Sequence, residues 1–275
     1  MSSHSDTPAP ELAFDPRVPS AARIYDFWLG GKTHYPADRE AAERLQQVAP
    51  SLPQAARDNR RFLERAVTFA AKTGISQFID VGTGIPTCPP SLQGDALFYP
   101  PVLDVARRYC LGPTVVGIDN DPVVAAHDRA LLPRHHLIEA DIRDITQVLD
   151  HPELVEHIDW EQRVAVLLVA VLHFIPDDHD VHAILDAFGE RMARGSLLVI
   201  SHVCSDDAPP HVVQQIEAVY AGSSSPGRFR TRAEISSFFD GFALLHPRLV
   251  PVQQWPTPAE PPSALPVLGG VAMAT

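Results

Sequence analysis

Three apolar runs each end in an acid, and the first acid stands beside a pair of glycines. The run Phe78–Val81 leads into Asp80-Val81-Gly82-Thr83-Gly84-Ile85-Pro86. Val115–Ile118 leads into Asp119-Asn120-Asp121-Pro122, and Leu137–Ala140 into Glu139-Ala140-Asp141-Ile142-Arg143-Asp144. Glycines at such a turn let the backbone pass close to a ligand. A carboxylate at the second end can accept both hydroxyls of a ribose. An acid at the third end can accept from an adenine amino group while an apolar neighbour packs on the ring. Each feature has a plainer explanation: a tight turn, or an acid capping the next helix, which suits Asp121 well and Asp144 as well as Asp141. Three in register point to a nucleoside.

The type of nucleoside follows from what is missing. A dinucleotide site needs a third glycine and a helix N-terminus aimed at pyrophosphate. Here the third glycine is absent and Pro86 stands where that helix would begin. Asp80 would repel a pyrophosphate but suits positive charge. S-adenosylmethionine (SAM) has no phosphate and carries an ammonium and a sulfonium, so it fits better than NAD. Methyl transfer needs an acceptor aligned in line with the methyl carbon, and a base only where the acceptor must lose a proton early. His173, His34 and Tyr25 are the candidates to act on the acceptor, with His202 a further option. Each also has a structural alternative: His173 shaping the pocket, His34 on a surface loop, Tyr25 and Trp28 in a helix core. Asp177-Asp178-His179-Asp180 reads as the acidic start of a helix over Val181–Arg191, and no metal set is expected.

These residues require particular elements to hold them. Short apolar runs alternating with helical stretches predict a doubly wound α/β fold with a mostly parallel sheet. Further runs are Val164–Leu172, Leu197–Ser201, Phe242–Leu245 and Leu249–Val252. The last two, separated by His246-Pro247-Arg248, predict an antiparallel C-terminal hairpin. The Pro- and Gly-rich tail after Trp255 reads as surface coil. Residues 1–75 read as a loose arm followed by helices. Ser20 is placed to cap a helix over Ala21–Leu29 that Gly30-Gly31 ends; a second runs from Pro36 to Val48. Pro50 and Pro53 break the chain, and a third runs from Gln54 to Lys72. Its residues Phe62, Leu63, Ala66, Val67 and Ala70 recur on one face. Thr231-Arg232-Ala233-Glu234 is a capping box.

Composition narrows the partners. The 275 residues are 45% hydrophobic and carry 22 basic against 34 acidic side chains, a formal charge of −12. That balance argues against nucleic acid and against an anionic membrane surface. Cys88, Cys110 and Cys204 form neither a disulfide framework nor a zinc motif. Met1–Pro16 lacks the apolar stretch of a signal peptide, and Val164–Leu172 is too short to span a bilayer. A cytoplasmic protein with a small-molecule acceptor is expected, and a protein partner or homodimer is compatible with the sequence.

From about Pro19 to Val271 the chain resembles the actinobacterial SAM-dependent methyltransferase family formerly called DUF574. The resemblance rests on Ala22-Arg23-Ile24-Tyr25-Asp26-Phe27-Trp28-Leu29-Gly30-Gly31-Lys32, Ala37-Asp38-Arg39-Glu40, Asn59-Arg60-Arg61-Phe62-Leu63 and the three strand-end motifs. Leu168-Val169-Ala170-Val171-Leu172-His173-Phe174-Ile175-Pro176-Asp177 and Gly195-Ser196-Leu197-Leu198-Val199-Ile200-Ser201-His202 extend it. It implies a Rossmann-like methyltransferase fold: a seven-stranded, mostly parallel sheet with the C-terminal hairpin, residues 76–275 binding SAM under an N-terminal helical lid. It also implies that Gly82 and Gly84 line the methionine part, Asp119 holds the ribose, Asp141 and Ile142 frame the adenine, and Ala170–His173 flank the sulfonium. With the motif reading, the expected cofactor set is Gly31, Asp80, Gly82, Thr83, Gly84, Asp119, Asn120, Asp141, Ile142 and Ala170. The family suggests specialised metabolism. The chain departs from the pattern at Cys88–Pro101, an insertion with four prolines, after which Leu103 stands where a histidine is usual. Two alternatives follow: a methyltransferase fold turned to non-methylating chemistry or to a subunit role, and an NAD-dependent oxidoreductase.

Overall fold

The computed structural model describes residues 14–86, 99–132, 135–206, 208–257 and 265–275. Most of the Cys88–Pro101 insertion lies outside them.

The chain opens with helices α1 (Ala21–Trp28), α2 (Pro36–Val48) and α3 (Leu52–Lys72). Ser20 stands at the N-cap of α1, but its hydroxyl goes elsewhere and makes no capping bond. The third helix begins before Pro53 rather than after it. Proline has no N–H to lose in a first turn, and its fixed φ suits that place. The apolar stripe of α3 packs on the sheet, whereas α1 and α2 share a separate cluster with the later helix over Pro210–Ala221.

Beyond α3 the elements alternate: β1 (Gln77–Val81), α4 (Val102–Arg107), β2 (Thr114–Asp119), α5 (Pro122–Leu131), β3 (His136–Glu139), α6 (Ile145–Leu149), α7 (Pro152–His157) and β4 (Val164–Val169). A 3₁₀ turn, Leu172–Phe174, precedes α8 (Asp178–Arg191), β5 (Leu197–Val203), α9 (Pro210–Ala221) and α10 (Arg232–Ser237). The chain closes with β6 (Phe242–Leu244), β7 (Val250–Pro251) and β8 (Val267–Ala274). The capping boxes and acids do their expected local work: Thr231 and Glu234 close the start of α10, and Asp177 accepts the His179 N–H at the start of α8.

Among the described residues eight strands, one more than the seven the resemblance implies, form one sheet in the order β3-β2-β1-β4-β5-β8-β6, with β7 also on β8. The first five are parallel and the C-terminal ones antiparallel. Apolar clusters cover both faces, with α3 and α4 on one and α6, α7 and α8 on the other. This is the expected mostly parallel architecture, with two corrections at its C-terminus. The tail is no surface coil, because Val267–Ala274 is a nearly fully buried strand between β5 and β6. The two runs read as a hairpin do not pair with each other. Phe242–Leu244 and Val250–Pro251 pair in succession along the same strand, β8. His246-Pro247-Arg248 therefore interrupts an edge strand instead of reversing it. The glycines that suggested coil serve close packing. A Cβ on Gly269 would lie 2.9 Å from the Phe62 ring, and one on Gly270 would lie 2.8 Å from the Phe239 ring. Successive strand residues face opposite ways, so each glycine admits an aromatic ring from a different layer.

Candidate functional site

The parallel strands deliver their motifs to one end of the sheet. Gly82 and Gly84 have φ of +67°, the left-handed region that favours glycine. Gly82 also has no room for a Cβ, because the Val171 side chain packs against it. Asp119 fixes this turn from the neighbouring strand. One of its oxygens accepts the Gly84 N–H at 3.0 Å and the other the Asp121 N–H at 3.0 Å. Burial raises both Asp119 and Asp80 to a pKa of about 6. Asp121 caps α5 through the Val123 N–H at 2.8 Å.

Three cavities adjoin here and share Ala170 and Phe174. One, of about 850 Å³, is lined by Gly82, Gly84, Asp119, Asn120, Asp141 and Ile142, among others. Its far end is polar: Arg143 pairs with Asp141 at 2.5 Å and holds that carboxylate below its usual range, and Asn120 reaches Asp141 at 3.4 Å. The second cavity holds Asp80, Thr83 and Arg60. Arg60 Nε and Thr83 Oγ1 are buried with no hydrogen-bond partner among the described residues. An acid and a guanidinium with open bonding capacity match the ammonium and carboxylate of an amino acid. The residues present therefore fit a SAM molecule.

The third cavity, about 660 Å³, is mostly apolar and aromatic, with Trp28, Phe174, Tyr220 and Phe229 in its wall. His173 and Tyr25 also line it, and Glu217 is its carboxylate, with one oxygen accepting the Phe229 N–H at 2.7 Å. Burial, helped by Arg230, pushes His173 down to about 3, so its imidazole is neutral. Burial pushes Tyr25 up to about 12. The phenol donates to the Ala56 carbonyl at 2.9 Å and accepts from Asn59 at 3.0 Å. Asn59 in turn accepts from Ser201 Oγ at 2.6 Å, and Ser201 Oγ accepts the Ala170 N–H at 2.9 Å. One directed chain thus ties the end of β4 to α3 and α1. Its β4 end, Ala170, has φ of +60°, a conformation a non-glycine residue adopts at some cost.

His34 and Gly31 lie outside the three cavities. His34 Nδ1 sits 3.3 Å from Asp26, and Gly31 stands where a Cβ would strike the same carboxylate. His202 lines none of them either. Its Nδ1 donates to the Val203 carbonyl at 2.7 Å, so Nε2 accepts from Arg230 at 3.0 Å. The buried Arg230 also bonds Asp178 at 2.7 Å and the Leu172 and Ile175 carbonyls, fixing the loop after β4. Sequence reasoning missed Arg230, Phe174 as the shared wall, and Arg60. Arg60 and Phe174 had a signal, their places in the Asn59-Arg60-Arg61 and Leu168–Asp177 blocks, and Arg230 had none.

No curated protein is matched by the sequence. Two solved structures are similar over nearly the whole chain. A DUF574 family protein from Streptomyces avermitilis MA-4680 is 35% identical, covering 95% of this chain and 99% of its own, with a TM-score of 0.85. A candidate methyltransferase from Thermobifida fusca YX is 32% identical, covering 98% and 100%, with a TM-score of 0.84. The profile of the S-adenosyl methyltransferase family matches residues 8–275. With a pocket fitted to SAM and a match along almost its full length, the chain belongs to the S-adenosyl methyltransferase family and is a SAM-dependent methyltransferase.

Proposed function

We propose that this enzyme methylates a small, largely apolar, ring-bearing acceptor, in the cytoplasm and within specialised metabolism. One observation carries the reading of the acceptor: the aromatic cavity meets both polar cavities at Ala170 and Phe174. Bound SAM supplies a methyl carbon made electrophilic by its sulfonium. Asp119 accepts from the ribose while its other bonds keep the glycine turn in shape. Asp141 and Ile142 frame the adenine. Asp80 takes the ammonium and Arg60 the carboxylate. Gly82 and Gly84 give the methionine its approach. Within residues 1–75 the helices act as the lid, α1 and α2 forming the cover and α3 anchoring it to the sheet; residues 76–275 are the SAM-binding unit. The three cysteines, sparse and widely spaced, suit the cytoplasm.

His173 and Tyr25 serve as positioning residues in this scheme. A neutral imidazole with a value of about 3 takes no proton near neutrality. Tyr25 has committed its proton to Ala56. Glu217 is then the group in the acceptor cavity able to take a proton from a hydroxyl or amine. Titration calorimetry with SAM and with S-adenosylhomocysteine tests the cofactor half. Both should bind with one site, and Asp119→Ala should weaken both by about 100-fold or more, the loss expected when a buried site's hydrogen bonds go unmade. A folded sample that binds neither ligand would favour the non-methylating alternative.

A further inference from the structure

At the end of β3 remote from Asp141, three metal-ligating side chains converge. His136 opens the strand, and Glu153 and His157 stand four residues apart on α7, one turn along a shared helix face. Glu153 Oε2 lies 3.3 Å from His136 Nδ1 and 3.4 Å from His157 Nε2. The imidazole centroids are 3.6 Å apart, and one ligand atom from each of the three residues falls within 4.8 Å of the others. All three side chains are partly exposed, between 24% and 44%, so solvent reaches them. None lines the three cavities of the methyltransferase site.

We propose that His136, Glu153 and His157 form a binding site for a divalent cation of the zinc class. A tetrahedron with metal–ligand bonds of about 2.0–2.1 Å has edges of about 3.3–3.4 Å, the spacing of the carboxylate oxygen from both imidazole nitrogens. Two imidazoles and one carboxylate select zinc, cobalt or nickel over magnesium or calcium, which prefer all-oxygen shells. Water completes the fourth position. The bound ion pins α7 to β3, the edge strand of the sheet, at the end away from SAM. It is therefore a structural brace, independent of whether SAM binding works as proposed above.

The test is titration of the chelator-treated, full-length protein with Co²⁺, followed by displacement with Zn²⁺. The expected result is one equivalent of cobalt with the intense visible bands of a four-coordinate ion, bleached by zinc. Zinc should also raise the thermal midpoint and leave S-adenosylhomocysteine affinity unchanged. His136→Asn, Glu153→Gln and His157→Asn should each weaken cobalt binding by about 10-fold or more, at least the loss seen for outer-shell partners. Each should keep the metal-free thermal midpoint and S-adenosylhomocysteine binding of the parent, which shows the fold intact. Absence of saturable cobalt binding, or binding that all three variants retain, would overturn the site.

Discussion

Asp80 carries a burial cost that the nearby charge of Arg60 offsets only in part. Its carboxyl lies at about 6 against an ordinary 3.8, as does that of Asp119. Between about pH 4 and pH 6 the folded, ligand-free protein keeps protons that the unfolded chain has released. Its stability therefore falls as pH rises through that window, the reverse of the usual salt-bridged aspartate. An ammonium at Asp80 favours the ionised form, so SAM affinity should strengthen from pH 5 to pH 7, with protons released on binding. Calorimetry at pH 6 in buffers of different ionisation enthalpy counts those protons. Asp80→Asn should release fewer, keeping only the Asp119 share; an unchanged count would sink the role given to Asp80. Asn59 yields a second expectation at this scale. Asn59→Ala leaves Ser201 Oγ and Tyr25 Oη each short of a partner and should cost about 1–3 kcal/mol by urea unfolding.

At the scale of elements, the question is what keeps α1 over the cavities. A buried ion network does so. Arg23 reaches Asp38 of α2 at 2.9 Å, Asp121 at the end of β2 at 3.1 Å, and the Val18 carbonyl at 2.8 Å. Ser20 adds its N–H to Asp38 at 2.9 Å and its hydroxyl to Asp121 at 2.5 Å. Arg23 is 2% exposed and Asp38 fully buried, so removing the guanidinium strands two carboxylates away from water. Arg23→Ala should cost about 3–5 kcal/mol, the range for breaking one side of a buried pair, and should speed S-adenosylhomocysteine release. A urea midpoint equal to that of the parent would show that the network is not what holds α1. The sequence made α1 itself legible, through the Gly30-Gly31 stop. It hid the network, because Arg23 is 15 residues from Asp38 and 98 from Asp121. Ser20 looked like an ordinary cap for the same reason. The strand-end acids were legible because parallel β1, β2 and β3 bring each strand's C-terminal motif to the same edge, so local sequence and global position agree.

For the whole molecule the decisive element is the one local composition concealed. β8 takes its pairing from β5 on one side and from β6 and β7 on the other, so it joins the parallel half of the sheet to the C-terminal edge. Proline and glycine counts report local preference, and a glycine chosen to admit a ring from another layer looks the same as one chosen for a turn. The difference lies in partners far along the chain: Phe62 for Gly269 and Phe239 for Gly270. If close approach is what Gly269 provides, a methyl there must push Phe62 out of a packed core. Gly269→Ala should then destabilise by about 1–3 kcal/mol, the usual range for overpacking. Phe62→Leu should cost a similar amount alone by leaving space unfilled. Combined, each change should relieve the other, because the added methyl occupies part of the volume the ring gives up. The double variant should be less destabilised than the sum by about 0.5 kcal/mol or more, a coupling typical of residues in contact. Urea unfolding of the four proteins reads this directly. Strict additivity would mean that Gly269 does not act through its contact with the Phe62 ring, and that the cost of the added methyl falls on its other close neighbour, Val252.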